Sequence, residues 1–224
     1  CCQLFDKVAK DRPGKEFYTI KGLAFFDGAR FVSTGYADEL SKEEIFDIDW
    51  DILDSVSAKH HFPLAKDMDR RHKKYFLNNA NGSLGLDSID NEKQLLNKSI
   101  AMFFCSKGCT THCTFCHRFS KGIRIIPPDI VIARIKELIE RFNVGVVFFG
   151  EECFGASHKW LREFCELVKP LNILWRVGGM RVSQVSPDII KMMKEAGCRS
   201  VIYGMETGSE RMLQVMEKRV SLID

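Results

Sequence analysis

No apolar run in this chain approaches the length a membrane-spanning helix needs, so no membrane span is expected. The first residues, Cys1-Cys2-Gln3-Leu4-Phe5-Asp6-Lys7, lack the charged and apolar regions of a secretory leader, and a cytoplasmic location is expected. A dense basic run is also missing. The 33 Lys and Arg are scattered against 30 Asp and Glu for a formal charge of +3, which removes the electrostatic argument for a nucleic-acid partner. Internal repeats and low-complexity tracts are absent, which excludes repeat architectures. There is no initiating methionine, and a processed product or a piece of a longer protein is expected.

What is present is a globular composition, with 45% hydrophobic and 28% charged residues over 224 positions, enough for one ordinary core or a core with an appendage. Nine cysteines are more than such a chain ordinarily carries. Its length and aliphatic content make disulfide staples unnecessary, so metal or redox chemistry is the better expectation.

The texture changes near residue 98. Before it, Gly22 to Val32 reads as a hairpin with Asp27-Gly28 at the turn, as a two-residue connection prefers. Asp38 to Asp54 is acidic and linker-like, Lys59 to Lys74 has neither helical nor strand period, and Asn78 to Gly85 is rich in turn residues. These patterns predict a hairpin segment over 1–35, an irregular connector over 36–98 and a regular domain over 99–224.

In that domain four apolar runs, Ile100 to Phe104, Val144 to Phe149, Ile173 to Val177 and Ser200 to Tyr203, each lead through a loop into a segment of helical period. Pro127-Pro128-Asp129 opens one helix, whose stripe is Val131, Ile135, Leu138, Ile139 and Phe142. Ser186-Pro187-Asp188 opens another, closed by Gly197, and Ser209-Glu210 resembles the N-cap of a last one. Repeated strand-loop-helix units predict an α/β fold with a covered parallel sheet, either a barrel or a doubly wound sheet.

The first run leads into Cys105-Ser106-Lys107-Gly108-Cys109-Thr110-Thr111-His112-Cys113-Thr114-Phe115-Cys116-His117. Cys109, Cys113 and Cys116 form a C-x3-C-x2-C triplet at the C-terminal end of a strand, where α/β proteins build their sites. Three thiolates can hold three corners of a cubane iron-sulfur cluster and leave one iron open to a substrate or cofactor, a catalytic arrangement. Zinc is the competing ligand, with Cys105, His112 or His117 as a fourth donor, and plain burial of small apolar thiols is the third reading.

At these residues the chain resembles the radical S-adenosylmethionine (radical SAM) enzymes, whose signature C-x3-C-x-aromatic-C follows the first strand of a partial (β/α)6 TIM-like barrel. Phe115 fills the aromatic position. The second run ends in Phe149-Gly150-Glu151-Glu152-Cys153-Phe154, where the family has an acidic motif for the amino group of SAM; the resemblance implies Glu151 or Glu152. Arg176 in the third run and Arg181 just after it lie where the family carries a base for the carboxylate of SAM, and the resemblance implies Arg181. Tyr203-Gly204-Met205-Glu206-Thr207-Gly208-Ser209 is similar to the family's ribose-facing segment, implying Glu206 and Ser209 as cofactor contacts. The resemblance implies a 4Fe-4S cluster on Cys109, Cys113 and Cys116 that reductively cleaves SAM to a 5′-deoxyadenosyl radical. It also implies a small-molecule substrate and an electron donor such as flavodoxin or ferredoxin. No catalytic residue beyond the cofactor contacts is identified.

The closest likeness is to the branch that carries a cobalamin-binding domain ahead of the barrel. Glu151-Glu152-Cys153-Phe154, Arg181-Val182 and Ile20-Lys21-Gly22-Leu23-Ala24-Phe25 with Asp27-Gly28 carry it. It implies that residues 1–35 are the tail of that domain and that cobalamin is a further cofactor. No D-x-H-x2-G segment is present to supply a lower cobalt ligand. Only about four of six βα units are present, so an incomplete barrel with an open edge at its fourth strand is expected, completed by further chain or a partner.

Each residue also has an ordinary use. Glu151 and Glu152 could cap the next helix, Arg181 could be a surface base, and Thr207 and Ser209 could cap the last helix. Cys153, Cys165 and Cys198 read as structural thiols, and His60, His61 and His72 as solvated side chains. The alternative function is a zinc or iron-sulfur module, structural or electron-transferring, that cleaves nothing.

Overall fold

The apolar runs become one parallel sheet. The computed structural model describes residues 15–38, 41, 48–67, 97–117 and 122–223, and the chain divides into two compact units, residues 1–45 and 46–224. The loop expected over Asn78 to Gly85, Cys1, Cys2 and His72 lie outside the described residues.

In the first unit, β1 (Ala24–Phe26) pairs antiparallel with β2 (Phe31–Ser33). The connection is Asp27 to Arg30, two residues longer than the Asp-Gly pair predicted. The reason is local: Asp27 Oδ1 accepts from the amides of Ala29 and Arg30 at 2.9 and 3.0 Å, a side-chain-closed turn that needs the extra residues. The Tyr18 hydroxyl donates to Asp27 Oδ2 at 2.7 Å, and Phe25 packs edge-on to Phe17 and Tyr18.

In the second unit, β3 (Ser99–Phe103), β6 (Val144–Phe149), β7 (Leu174–Met180) and β8 (Cys198–Tyr203) lie side by side in that order, all parallel. Between β3 and β6, β4 (Ser106–Gly108) and β5 (Ile123–Ile125) form a separate antiparallel ribbon. The helices are α1 (Ser55–His61), α2 (Pro128–Phe142), α3 (His158–Val168), α4 (Pro187–Glu195) and α5 (Glu210–Val215). The parallel strands follow chain order, α2, α3 and α4 pack into one core with the sheet, and the described strands show no order reversal of the doubly wound kind.

The predicted punctuation operates as stated. Pro128 opens α2, which ends at Asn143 in the left-handed region (φ 54°). Ser157, Ser186 and Ser209 each accept an amide hydrogen bond at the start of α3, α4 and α5. Val131, Ile135 and Leu138 of α2, Leu161 and Phe164 of α3 and Ile189 and Met193 of α4 share one core with Ala101, Phe103, Val147, Phe149, Trp175 and Val177 of the sheet. Alternation then leaves Met102 and Ile202 on the opposite, exposed face.

Part of the connector expected to be irregular over 36–98 is ordered into helix and buried aromatics. Asp54 caps α1 through the amides of Val56 and Ser57, while Trp50 and Phe62 are buried. Phe62 stacks on Phe142 of α2 at 4.3 Å between ring centroids. A helix of two turns has too few positions to display a period, so the aromatics on either side of it, Trp50 and Phe62, were the available signal. Among the described strands β8 pairs only with β7, and a hollow of about 950 Å³ lies between its open side and α4.

Candidate functional site

The cysteine triplet sits on a loop pinched off by the β4–β5 ribbon. Ser106 pairs with Ile125 and Gly108 with Ile123, so the chain leaves and re-enters at one point above β3. Gly108 has φ 90°, and a Cβ there would collide with the carbonyl oxygen of Gly122. Only glycine fits that close approach without strain. Strands of three residues carry no readable alternation, which is why the ribbon was not predicted.

Cys113 is buried, Cys109 half-buried and Cys116 exposed. Thr111 Oγ1 lies 3.1 Å from Cys109 Sγ and 3.7 Å from Cys113 Sγ, between the two thiols. Among the described residues no group of three His, Cys, Asp or Glu side chains converges as one ion would require. A hydrogen bond from Cys153, seconded by the Thr111 hydroxyl and amide and by the charge of Arg181, holds the Cys109 thiol well below its ordinary value despite burial. Cys153 therefore does more than fill space: it is buried beside Cys109, with Gln184 Nε2 donating to its sulfur at 3.7 Å. Cys105, considered above as a fourth donor, is 1% exposed, and burial with the adjacent Glu151 pushes its thiol well up, as befits an inert core thiol.

The two acids after β6 diverge. Glu151 is 6% exposed and points beneath the cysteine loop. Its Oε1 accepts from the Cys105 amide at 2.5 Å and its Oε2 from the Ser106 amide at 2.9 Å and from the Ser106 hydroxyl. Burial raises its carboxyl above the ordinary range against these donors. Glu152 instead lines a cavity of about 190 Å³; Glu151 is not among the lining residues. Gly179 makes this divergence possible. Its φ is 71°, a Cβ there would collide with the Glu151 carbonyl, and its own carbonyl accepts from the Phe154 amide at 3.2 Å. The acidic turn is thereby pressed against the end of β7.

The same cavity is lined by Cys109, Cys113, Cys116, Phe115, Arg181 and Glu206. Residues from the ends of four strands therefore meet at one mouth, although more than 90 positions separate Cys109 from Glu206 in the sequence. Arg181 Nη2 donates to the carbonyls of Lys218 and Arg219 at 2.6 and 2.8 Å, which fixes its head at the rim. Arg176 lies on β7 itself, its guanidinium 4.5 Å from the centre of the Phe148 ring, and is not a lining residue. Ser209 caps α5 through the Met212 amide at 3.4 Å and is likewise outside the lining. Lys218 was not foreseen. It lines the cavity, and Thr114 of the cysteine loop donates its amide to Met216 at 3.0 Å just before it. No spacing rule connects positions so far apart.

Residues 103–222 match the model of the radical SAM superfamily. The chain is 24% identical over 213 residues to an anaerobic magnesium-protoporphyrin IX monomethyl ester cyclase of Cereibacter sphaeroides, covering 92% of this chain and 29% of that protein. An uncharacterized methyltransferase of Pyrococcus horikoshii is 28% identical over 121 residues (52% of this chain, 26% of the relative). A cytidylyl-2-hydroxyethylphosphonate methyltransferase of Streptomyces wedmorensis is 22% identical over 124 residues (54% and 23%). The chain thus spans less than a third of the length of each of these relatives. With more than half of its residues matched by one family model, the chain belongs to the radical SAM superfamily.

Proposed function

We propose that residues 99–224 form the first four units of a partial (β/α)6 barrel that binds a 4Fe-4S cluster through Cys109, Cys113 and Cys116, with SAM in the adjoining cavity. The convergence of the cysteine loop with Glu152, Arg181 and Glu206 on that cavity carries the reading. A simple metal module has no use for those three side chains. The donor set fits a cluster: the thiols are spread with a hydroxyl between two of them, and Cys109 is readily ionised. When bound, the cluster supplies the electron that breaks a carbon-sulfur bond of SAM and starts hydrogen-atom abstraction from substrate.

The chain's own residues bind and orient. Glu152, rather than Glu151, accepts from the ammonium of SAM, since the Glu151 oxygens are already engaged by the loop above β3. Arg181, anchored at Nη2, faces the carboxylate, and Glu206 accepts from the ribose hydroxyls. Ser209 acts through α5, whose start it caps. Thr111 and Cys153 favour ionisation of the Cys109 thiol, which lies below its ordinary value.

The substrate proposed is a small molecule, in keeping with the tetrapyrrole ester and the phosphonate in the relatives' names. A flavodoxin or ferredoxin is the proposed electron donor. Cobalamin as a further cofactor belongs to the same proposal, supported by the hairpin at β1 and β2 and the Glu-Glu-Cys-Phe segment.

Anaerobic iron and sulfide analysis of the reconstituted chain, with electron paramagnetic resonance before and after SAM addition, tests the proposal. About four irons per chain and a spectrum that changes with SAM are expected, both lost in Cys113→Ala. Stoichiometric zinc without a cluster would make this a structural module and remove the mechanism.

A further inference from the structure

Lys218 is a nearly buried cation, its side chain 11% exposed, in a family of residues rarely enclosed unless paired. Its Nζ lies 2.7 Å from Glu206 Oε1 and 5.6 Å from the centre of the Phe115 ring. It therefore bridges the loop after β8 and the cysteine loop, two segments that sequence alone does not join.

The backbone on both sides is bent to deliver it. Part of that bend is an ordinary helix ending: Lys218 donates its amide to Leu213 and Glu217 donates to Gln214, a Schellman closure of α5 with Glu217 left-handed at φ 51°. Arg219 at φ 55° is not part of that closure. Its left-handed turn, with the carbonyls of Lys218 and Arg219 both accepting from Arg181 Nη2, presents the lysine to the cavity. Across the ion pair, Glu206 is itself left-handed at φ 58°. Non-glycine residues adopt this region at a cost; here one such residue, Glu206, is a member of the ion pair and another, Arg219, adjoins its lysine at the cavity.

We propose that Lys218 is a positioning residue for SAM, holding the Glu206 carboxylate in the orientation that accepts from the ribose hydroxyls and tying it to the cysteine loop through Phe115. The inference rests on the reading that Glu206 is the ribose acceptor. Glu206 is 35% exposed at its side chain and sits on a glycine-flanked loop, so without Lys218 its rotamers must be ordered when the cofactor binds. Lys218 orders them beforehand.

The test is SAM affinity, by calorimetry on the anaerobically reconstituted chain, with iron content and melting temperature measured on every sample. The variants are Lys218→Met, which keeps the apolar stem, Lys218→Arg, Glu206→Gln and the Lys218→Met/Glu206→Gln pair. Lys218→Met and Glu206→Gln are each expected to weaken SAM binding about tenfold, with iron unchanged, and the pair to bind no more weakly than Glu206→Gln alone, because the two act as one unit. Lys218→Arg is expected to restore most of the affinity. An unchanged affinity in Lys218→Met, losses that multiply in the pair, or iron lost in step with affinity overturns the positioning role. Glu206→Gln binding SAM as the parent does overturns the ribose reading itself, whereas a weakened Glu206→Gln beside an unaffected Lys218→Met overturns only the role of the lysine. If Lys218→Met does not fold, Lys218→Gln is read by the same criteria.

Discussion

Replacing Glu151 by alanine is expected to damage the fold, and replacing Glu152 to damage cofactor binding. The Glu151 carboxyl is the acceptor for the amides of Cys105 and Ser106 at a site 6% exposed. Deleting it strands two buried donors at about 1–3 kcal/mol each, or roughly 2–6 kcal/mol together. For a chain of this size that is a fall in melting temperature of roughly 4–24 °C. The stranded amides, of Cys105 and Ser106, lie on the stretch that leads into Cys109, so iron content after reconstitution should fall too. Glu152→Ala removes a cavity-lining carboxylate that holds no buried donor, and its stability should stay within about 0.5 kcal/mol of the parent. Loss of a charge-assisted hydrogen bond to the SAM ammonium, about 1.5–3 kcal/mol, corresponds to affinity weaker by roughly 10- to 150-fold. Differential scanning calorimetry, iron analysis and SAM titration on the two variants separate the roles. A Glu151→Ala protein that melts with the parent yet no longer binds SAM would refute the assignment.

Other outcomes follow from the same geometry. Phe164 is fully buried, stacked on Trp160 at 5.1 Å and edge-on to Phe149 and Trp175, so Phe164→Ala should cost about 3–5 kcal/mol in urea denaturation. Gly108→Ala should lower iron incorporation more than it lowers helix content by circular dichroism, because its Cβ would drive β4 from Gly122 next to Cys109. Burial pushes the thiols of Cys165 and Cys198 up to about 12, with Glu166 adding to the effect at Cys165. A raised folded pKa favours the fold below the ordinary thiol value and loses that contribution as pH rises toward 12, so stability should decline above about pH 9. That decline should be shallower in Cys165→Ala, measured by denaturation across the alkaline range.

The four parallel strands, their helices and the cysteine triplet were legible because each rests on a local signal. Apolar runs of five or six residues, Pro-Asp and Ser-Pro-Asp helix starts, and three cysteines within eight positions are readable wherever they occur. What could not be read was contact. Nothing local distinguishes Glu151 from Glu152. The strand end sends one beneath the cysteine loop and the other into the cavity, and the approach of Gly179 to the Glu151 carbonyl holds that turn in place. Trp50 and Phe62 looked like linker residues until α2 supplied the surface that buries them.

The sequence by itself determined the α/β alternation, the family resemblance and the C-x3-C-x2-C spacing, since periodicity and motif spacing are properties of neighbouring residues. Only tertiary structure decided which acid lines the cavity, that Cys153 lies beside Cys109, and that Lys218 reaches Glu206 and Phe115. Those depend on distances between strand ends, which parallel pairing and helix packing set and which no local pattern encodes.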